Sequence, residues 1–308
     1  MLGKICGTGS YVPEKVYNNN DIAKLVETSD EWIQERTGIV RRHIIDSETT
    51  SFMASEAAKR AIENAKVNAK DIDLILVATM TPEKLTPGMA CIVQAEIQAE
   101  NAAGIDMNAA CSDFLFAFNT AQNYITAGMA RTILIVGSES LSTIVDWEDR
   151  GSCILFGDGA GAVVLKAQEG QMKFTAMHSD GQKREVLMCE SRHPKLFMDG
   201  KEVFRFAVKK VPEVIQDVLK KNGCQAEEID WFILHQANKR IIESVAKRMN
   251  IDVSKFPMNI QEYGNTSSAS IPILLDEMNR SGMLEKGQKI IMAGFGAGLS
   301  WGASLLEW

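Results

Sequence analysis

The chain has 308 residues, 45% hydrophobic and 24% charged, with a net charge of −7; that is globular composition, enough for one large domain or two of about 150 residues. The acidic balance supplies no basic field for phosphates, which excludes nucleic acid as the main partner, and the longest apolar run falls far short of a membrane span. Six cysteines (6, 91, 111, 153, 189, 224) stand singly without CxxC spacing, and the start Met1-Leu-Gly-Lys-Ile-Cys6-Gly is too glycine-broken for a secretory signal, so a reduced, cytoplasmic protein without disulfides or zinc is expected.

In chain order, residues 2–8 read as a strand, followed by a loop at Tyr11-Val-Pro-Glu14 and a capped helix from about Asn20. Thr28-Ser-Asp-Glu-Trp32 opens a second helix that ends at Thr37-Gly38, and Ser55 to Ala65 forms a third, with Ala57, Ala58, Ala61, Ile62 and Ala65 on one face. Asp73–Ala78 and Thr132–Val136 are continuous apolar runs of strand length, the pattern of buried parallel strands. Between them, Gly104–Ala109 reads as the end of a strand. From Ser112 to about Thr126 there is no Gly or Pro, and apolar residues surround the cylinder, as in a helix at the centre of a protein. Cys111 stands where that strand turns into that helix. Unpaired N–H groups and the helix dipole predict a lowered thiol pKa there, although a free cysteine is commonly an inert core residue.

A displacement of 157 residues makes the pattern recur. Ala69-Lys-Asp-Ile-Asp-Leu-Ile-Leu-Val-Ala78 falls on Ala226-Glu-Glu-Ile-Asp-Trp-Phe-Ile-Leu-His235, Asn108 on Asn265, and Thr132–Gly137 on Lys289–Gly294. One register holds from about residue 57 to 137 without a gap. Two similar βαβα halves, 1–165 and 166–308, are expected to pack about a pseudo-two-fold axis, with largely parallel sheets covered by helices. The helix after Cys111 and its counterpart from Ser270 to Arg280 would form the inner layer.

The halves differ where chemistry would sit. His235 ends a strand whose counterpart ends in Ala78, and Asn265 lies in the loop that matches the one carrying Cys111. All three fall at strand carboxyl ends, where parallel α/β sheets form ligand sites, and a cysteine with a separate His and Asn is a plausible nucleophile set. Singly, His235 reads as a structural histidine and Asn265 as turn chemistry; together they favour catalysis.

Asn108-Ala-Ala-Cys111-Ser, His235-Gln-Ala-Asn238, Gly264-Asn265-Thr-Ser and Gly294-Phe-Gly-Ala-Gly298-Leu-Ser-Trp-Gly resemble the β-ketoacyl-acyl-carrier-protein synthase III family over essentially the whole chain. The resemblance implies a thiolase-like α/β fold, a layered α-β-α-β-α sandwich. It also implies a decarboxylative condensation of an acyl-coenzyme A primer with malonyl-acyl-carrier protein through an acyl-cysteine. Cys111, His235 and Asn265 would be catalytic, with the backbone N–H groups of Cys111 and Ala297 as oxyanion hole. Thr28, Trp32, Arg36, Arg150, Gly200, Phe204 and Asn238 match coenzyme A-binding positions. Arg205, Lys209, Arg240, Lys247 and Arg248 match the docking face for the acidic carrier protein, though such charges also read as a solvated helix face. Thr86, Leu141 and Phe156 match acyl-pocket positions. A homodimer is implied, and no cofactor beyond coenzyme A thioester as substrate.

Two positions depart from the family pattern. Asp113 replaces the usual Gly of Ala-Cys-Ser-Gly-Phe and, if ionised near the sulfur, would oppose a thiolate; it would have little effect if it turned away to a backbone N–H at the helix start. Thr86 stands where a Phe often caps the neighbouring subunit's acyl pocket. They keep open an acyltransferase or specialised ketide synthase taking another acyl-coenzyme A; the intact Cys, His and Asn argue against a catalytically silent partner subunit. Gly157-Asp-Gly159-Ala-Gly161 and Gly294-Phe-Gly296-Ala-Gly298 open no helix within a βαβ unit, so they read as tight turns beside the active site rather than dinucleotide fingerprints. The four histidines, 43, 178, 193 and 235, share no metal-ligand spacing, and no metal is expected.

Overall fold

The computed structural model describes residues 1–190 and 194–308; His193, one of the histidines weighed as a metal ligand, lies outside the described residues. The chain runs β1 (Leu2–Tyr11), β2 (Val16–Asn18), α1 (Asn19–Ile22), α2 (Asp30–Thr37), β3 (Arg41–His43), α3 (Thr50–Ala65), β4 (Leu74–Ala78), α4 (Met89–Glu96), β5 (Ala103–Met107), α5 (Asp113–Thr126), β6 (Thr132–Glu139), α6 (Arg150–Cys153) and β7 (Gly159–Gln168). It continues with β8 (Thr175–Ser179), β9 (Leu187–Cys189), β10 (Leu196–Met198), α7 (Gly200–Lys221), β11 (Trp231–Leu234), α8 (Lys239–Met249), α9 (Ile260–Tyr263), α10 (Ser270–Arg280), β12 (Lys289–Gly296) and β13 (Ser300–Glu307).

Local signals account for several boundaries. Ser29 caps α2 through Trp32 N–H, and Gly38 ends it at φ 81°, a left-handed conformation that glycine adopts without a Cβ penalty. The third helix begins at Thr50 rather than Ser55, because the Thr49 side chain accepts from Phe52 N–H and caps it earlier.

Among the described residues two large sheets form, in the orders β1-β7-β6-β4-β5 and β11-β12-β13-β8, beside the two-stranded pairs β10-β9 and β2-β3. They are mixed rather than largely parallel. β4 is parallel to β5 and β6, and β11 to β12, but β7 runs antiparallel to both its neighbours and β13 to both of its own. Only residues 297–299 separate β12 from β13, and so short a link permits only an antiparallel pair.

Helices α5 and α10 lie between the sheets, α3 and α4 cover the first, and α7 with α8 covers the second, giving an α-β-α-β-α sandwich. The central layer buries Phe114, Leu115, Phe118, Ile271, Leu274 and Leu275 against strand residues from both sheets. A Phe118→Ala change there would cost roughly 3–5 kcal/mol. The helix α5 is not apolar all round: Asn119 and Gln122 are buried and hydrogen-bonded to Ser304 and to the Gly3 backbone, whereas Asp113 is buried without such a partner.

The spacing of 157 is visible in the elements. Short 3-10 turns at Ala69–Asp71 and Ala110–Ser112 recur at Ala226–Glu228 and Ser267–Ala269, and β6 recurs as β12. The match fails at β5, whose counterpart region holds the short helix α9, so the second sheet has one strand fewer.

Candidate active site

The carboxyl ends of β4, β5, β6, β11 and β12 open towards one cavity of about 500 Å³ lined by Cys111, His235, Asn265, Leu141, Phe156 and Ala297 among others. Cys111 sits in the 3-10 turn that joins β5 to α5, next to Ala110, whose φ of 49° is left-handed. A non-glycine residue there carries strain, a feature common at functional turns. Gly296, at the end of β12, supports this turn from the other sheet: a Cβ on it would lie 2.7 Å from Cys111 N. The glycine runs are therefore close-approach positions, mostly within strands, and not tight turns; Gly159 and Gly161 lie in β7, Gly294 and Gly296 in β12. Gly161 lies against α10, where a Cβ would meet Ile273 N at 2.6 Å, and only Gly298, at φ 132°, has a positive φ.

The Cys111 thiol is buried, and burial pushes its pKa up to about 12; a hydrogen bond with Ser267 acts downward and the nearby Glu139 charge acts upward. The expectation of a lowered pKa is overturned, because loss of water outweighs the donors at the head of α5. His235 N–H continues the sheet by donating to Ala293 O at 2.9 Å. Burial pushes its imidazole down to about 3, so the ring is neutral. Its Nδ1 lies 2.7 Å from Ser270 Oγ, which also accepts from Gln236 N–H at 3.3 Å. Ser270 Oγ is within reach to donate its hydrogen to Nδ1, and in that tautomer Nε2 bears the proton. Asn265 is held by Asn265 N–H donating to Leu155 O (2.8 Å) and by its Oδ1 accepting from Ser267 N–H (2.9 Å). That contact fixes the amide orientation and leaves Nδ2 as a donor. Ala297 follows β12, with its carbonyl held by Ser300 Oγ at 2.8 Å.

Trp32, Arg36, Gly200, Phe204 and Asn238 also line the cavity. Trp32 has the Arg150 guanidinium 4.8 Å from its ring centroid and that of Arg36 at 5.8 Å. Thr28 and Arg150 do not line the cavity; Arg150 donates to Glu27 O at 3.2 Å, and the Thr28 hydroxyl is buried without a partner. Asn238 caps α8 through Arg240 N–H and donates to Arg36 O, tying α8 to α2. Arg205 and Lys209 on α7 and Arg240, Lys247 and Arg248 on α8 are exposed, on two helices that pack together. Arg205 pairs with Glu202 at 2.6 Å, and Arg240 stands 5.8 Å from the Phe204 ring. Leu141 and Phe156 are buried in the cavity wall, whereas Thr86 is exposed on the β4–α4 loop and does not line this cavity.

Asp113 is fully buried, neither carboxyl oxygen has a hydrogen-bond partner, and the backbone of Ala109 and Thr79 only approaches it. Burial and the Glu139 charge hold its pKa far above the carboxylate range. It is therefore neutral, and the negative charge that opposes a thiolate comes from Glu139, which the sequence reading missed. A charged residue at the end of an otherwise apolar parallel strand was the available signal. Among the described residues no cluster of three or more His, Cys, Asp or Glu is placed to hold a metal, and no helix is long and apolar enough to cross a membrane.

Two family models match the chain: 3-oxoacyl-[acyl-carrier-protein] synthase III over residues 105–181 and its C-terminal domain over 219–308. A β-ketoacyl-[acyl-carrier-protein] synthase III of Clostridium acetobutylicum is 48% identical over 99% of this chain and 98% of that protein. The crystal structure of 3-oxoacyl-[acyl-carrier-protein] synthase III from Aquifex aeolicus superposes with a TM-score of 0.97 at 45% identity, covering 99% of this chain and all of that one. The priming β-ketosynthase of the R1128 polyketide pathway superposes with a TM-score of 0.96 at 35% identity, covering 99% and 96%. The expected thiolase-like fold is thus present, and the chain belongs to the 3-oxoacyl-[acyl-carrier-protein] synthase III family of condensing acyltransferases.

Proposed function

We propose that this enzyme performs its family's decarboxylative condensation with Cys111 as nucleophile and with His235 and Asn265 as donors to the enolate. The observation that carries the reading is the convergence of a buried thiol, a neutral imidazole and an oriented amide on one cavity. In the first half-reaction the Cys111 sulfur attacks an acyl-coenzyme A thioester. The tetrahedral oxyanion accepts from the backbone N–H groups of Cys111 and Ala297, fixed in the protein before charge develops. In the second, malonyl-carrier protein loses CO₂ and the enolate oxygen accepts from His235 Nε2–H and Asn265 Nδ2–H. The enolate carbon then attacks the acyl-cysteine. A neutral imidazole suits this role, since it donates without needing a charge that burial would penalise.

The same reading gives coenzyme A a route past Trp32, Arg36 and Arg150, with Thr28 beside them and Gly200, Phe204 and Asn238 along the pantetheine arm. The exposed basic residues of α7 and α8 suit an acidic carrier protein. It divides the chain into halves 1–165, with the nucleophile, and 166–308, with His and Asn, in a cytoplasmic homodimer. The open edge of β5 and the exposed Ile105 and Leu85 support a second copy there, and Thr86 on the adjacent loop would then reach the partner's acyl pocket. Thr86→Phe would exclude longer primers, while a uniform slowing would remove it from that pocket.

His235→Ala tests the roles. It should still acquire the acyl group from acyl-coenzyme A, while CO₂ release from malonyl-carrier protein falls by about 10²–10³. Condensation near the wild-type rate would contradict the assignment.

A further inference from the structure

We infer that Glu139 is a positioning residue for Asn265: its carboxylate clamps the turn that aims the Asn265 amide to the segment that follows β4 in the cavity wall. The inference rests on the reading of Asn265 as a donor to the enolate. Glu139 ends β6 and has no exposed surface. Among the described residues, every hydrogen bond to its side chain comes from two segments far apart in the chain. Oε1 accepts from Ser268 Oγ at 2.8 Å and Ser267 Oγ at 3.2 Å. Oε2 accepts from Thr81 Oγ1 at 2.7 Å, Met80 N–H at 3.2 Å and Thr79 Oγ1 at 3.4 Å. One oxygen thus holds the turn before α10, and the other holds residues 79–81.

The turn has reason to be held. Asn265 Oδ1 accepts from Ser267 N–H at 2.9 Å, so the direction of Nδ2 follows the backbone at Ser267. That residue is left-handed, at φ 50°, a conformation that persists in a non-glycine residue only where its surroundings over-determine it. The end of β6 touches the same turn directly: a Cβ on Gly137 would lie 2.4 Å from Ser268 O. An apolar side chain could fill the space behind the turn without the loss of hydration that a buried carboxylate suffers. What the carboxylate adds is direction. Its two oxygens set Ser267 and Ser268 at fixed distances from Thr81 and from Met80, which lines the cavity with Cys111 and Asn265.

The proposed work of Asn265 lies in the second half-reaction, whereas acyl loading uses the Cys111 sulfur and the N–H groups of Cys111 and Ala297. Loosening the clamp therefore separates the two reactions. A donor displaced by about 1 Å loses on the order of 10² in rate, and loading keeps its own donors.

The test measures acyl loading by rapid-quench mass and CO₂ release from malonyl-carrier protein for Glu139→Leu, Glu139→Gln, Ser268→Ala, Asn265→Ala and the double variant of Glu139→Leu with Asn265→Ala. Glu139→Leu should lower CO₂ release by about 10² and loading by less than about threefold. Glu139→Gln should recover most of that loss, because its oxygen can accept from Thr81 and Met80 while its amide hydrogens go to the two serine hydroxyls. Ser268→Ala removes one donor and leaves the core filled, so it carries the test if Glu139→Leu folds poorly; it should show the same selectivity at about tenfold. Added to Asn265→Ala, Glu139→Leu should lower CO₂ release by less than about threefold more, since a group that acts through Asn265 has nothing left to position. Equal losses in loading and CO₂ release, unchanged CO₂ release in Glu139→Leu, or losses that multiply in the double variant overturn the clamp. Wild-type CO₂ release by Asn265→Ala overturns the parent reading, and the clamp with it.

Discussion

Asn108 and Asn265 do the same backbone work in two turns 157 residues apart. Each side-chain oxygen accepts from the N–H two residues on, that of Ala110 at 3.2 Å and that of Ser267 at 2.9 Å. Ala110 and Ser267 share a left-handed conformation, and a 3-10 turn and a buried helix follow each. The chemistry on these matched frames is different. Cys111 in the first corresponds to Ser268 in the second, a hydroxyl that donates to Ala78 O and Glu139. Asp113 corresponds to Ser270, which orients His235. One geometry thus presents the proposed nucleophile on one side of the cavity and the groups that orient the proposed donors on the other.

The sharpest way to break that comparison is to truncate both asparagines. Asn265→Ala removes a proposed enolate donor and should lower CO₂ release by about 10²–10³. Asn108→Ala removes only a turn hydrogen bond, so it should cost about 0.5–2 kcal/mol in denaturant unfolding with CO₂ release little changed. Similar kinetic losses in the two variants would mean that both turns act only through shape.

A smaller effect is expected at the helix starts. Ser270→Ala frees His235 Nδ1 and lets the imidazole take either tautomer, which should slow CO₂ release by about tenfold and leave acyl loading intact. Loss of loading instead would assign Ser270 to the support of the Cys111 turn.

The smallest concerns Asp113, whose folded pKa is raised above its unfolded value by burial and by Glu139. Its contribution to stability is then fully present below the unfolded pKa, near 3.9, and is lost as pH rises through the folded value. Asp113→Asn should flatten the fall in thermal midpoint between about pH 5 and 8 by roughly 2–4 °C, the shift that ~1 kcal/mol gives in a large domain. An identical slope in both proteins would mean that Asp113 ionises normally.

What could be read from the sequence follows the range of each signal. The runs Leu74–Ala78 and Thr132–Val136 announce buried strands because a strand covered on both faces needs apolar residues throughout. The register of 157 put Asn265 opposite Asn108 without any structure, and the strand-to-helix position exposed Cys111. What was hidden depends on convergence of distant segments: the hydroxyls of Thr81 after β4 and of Ser267 and Ser268 before α10 come from two separate loops to meet Glu139. The thiol pKa was misjudged for a related reason, since a local dipole is legible in sequence but the removal of water is a property of the whole packed core. Chirality and length rules likewise could not show that the strand β5 would have the helix α9 as its counterpart.

The central claim is the nucleophile, and the most direct measurement is the position of the acyl group. After incubation with a short-chain acyl-coenzyme A, intact mass and peptide mapping should find one acyl group, on the peptide containing Cys111, and none on Cys111→Ala. An acyl group on exposed Cys91 or buried Cys153, or one retained by Cys111→Ala, would contradict the account.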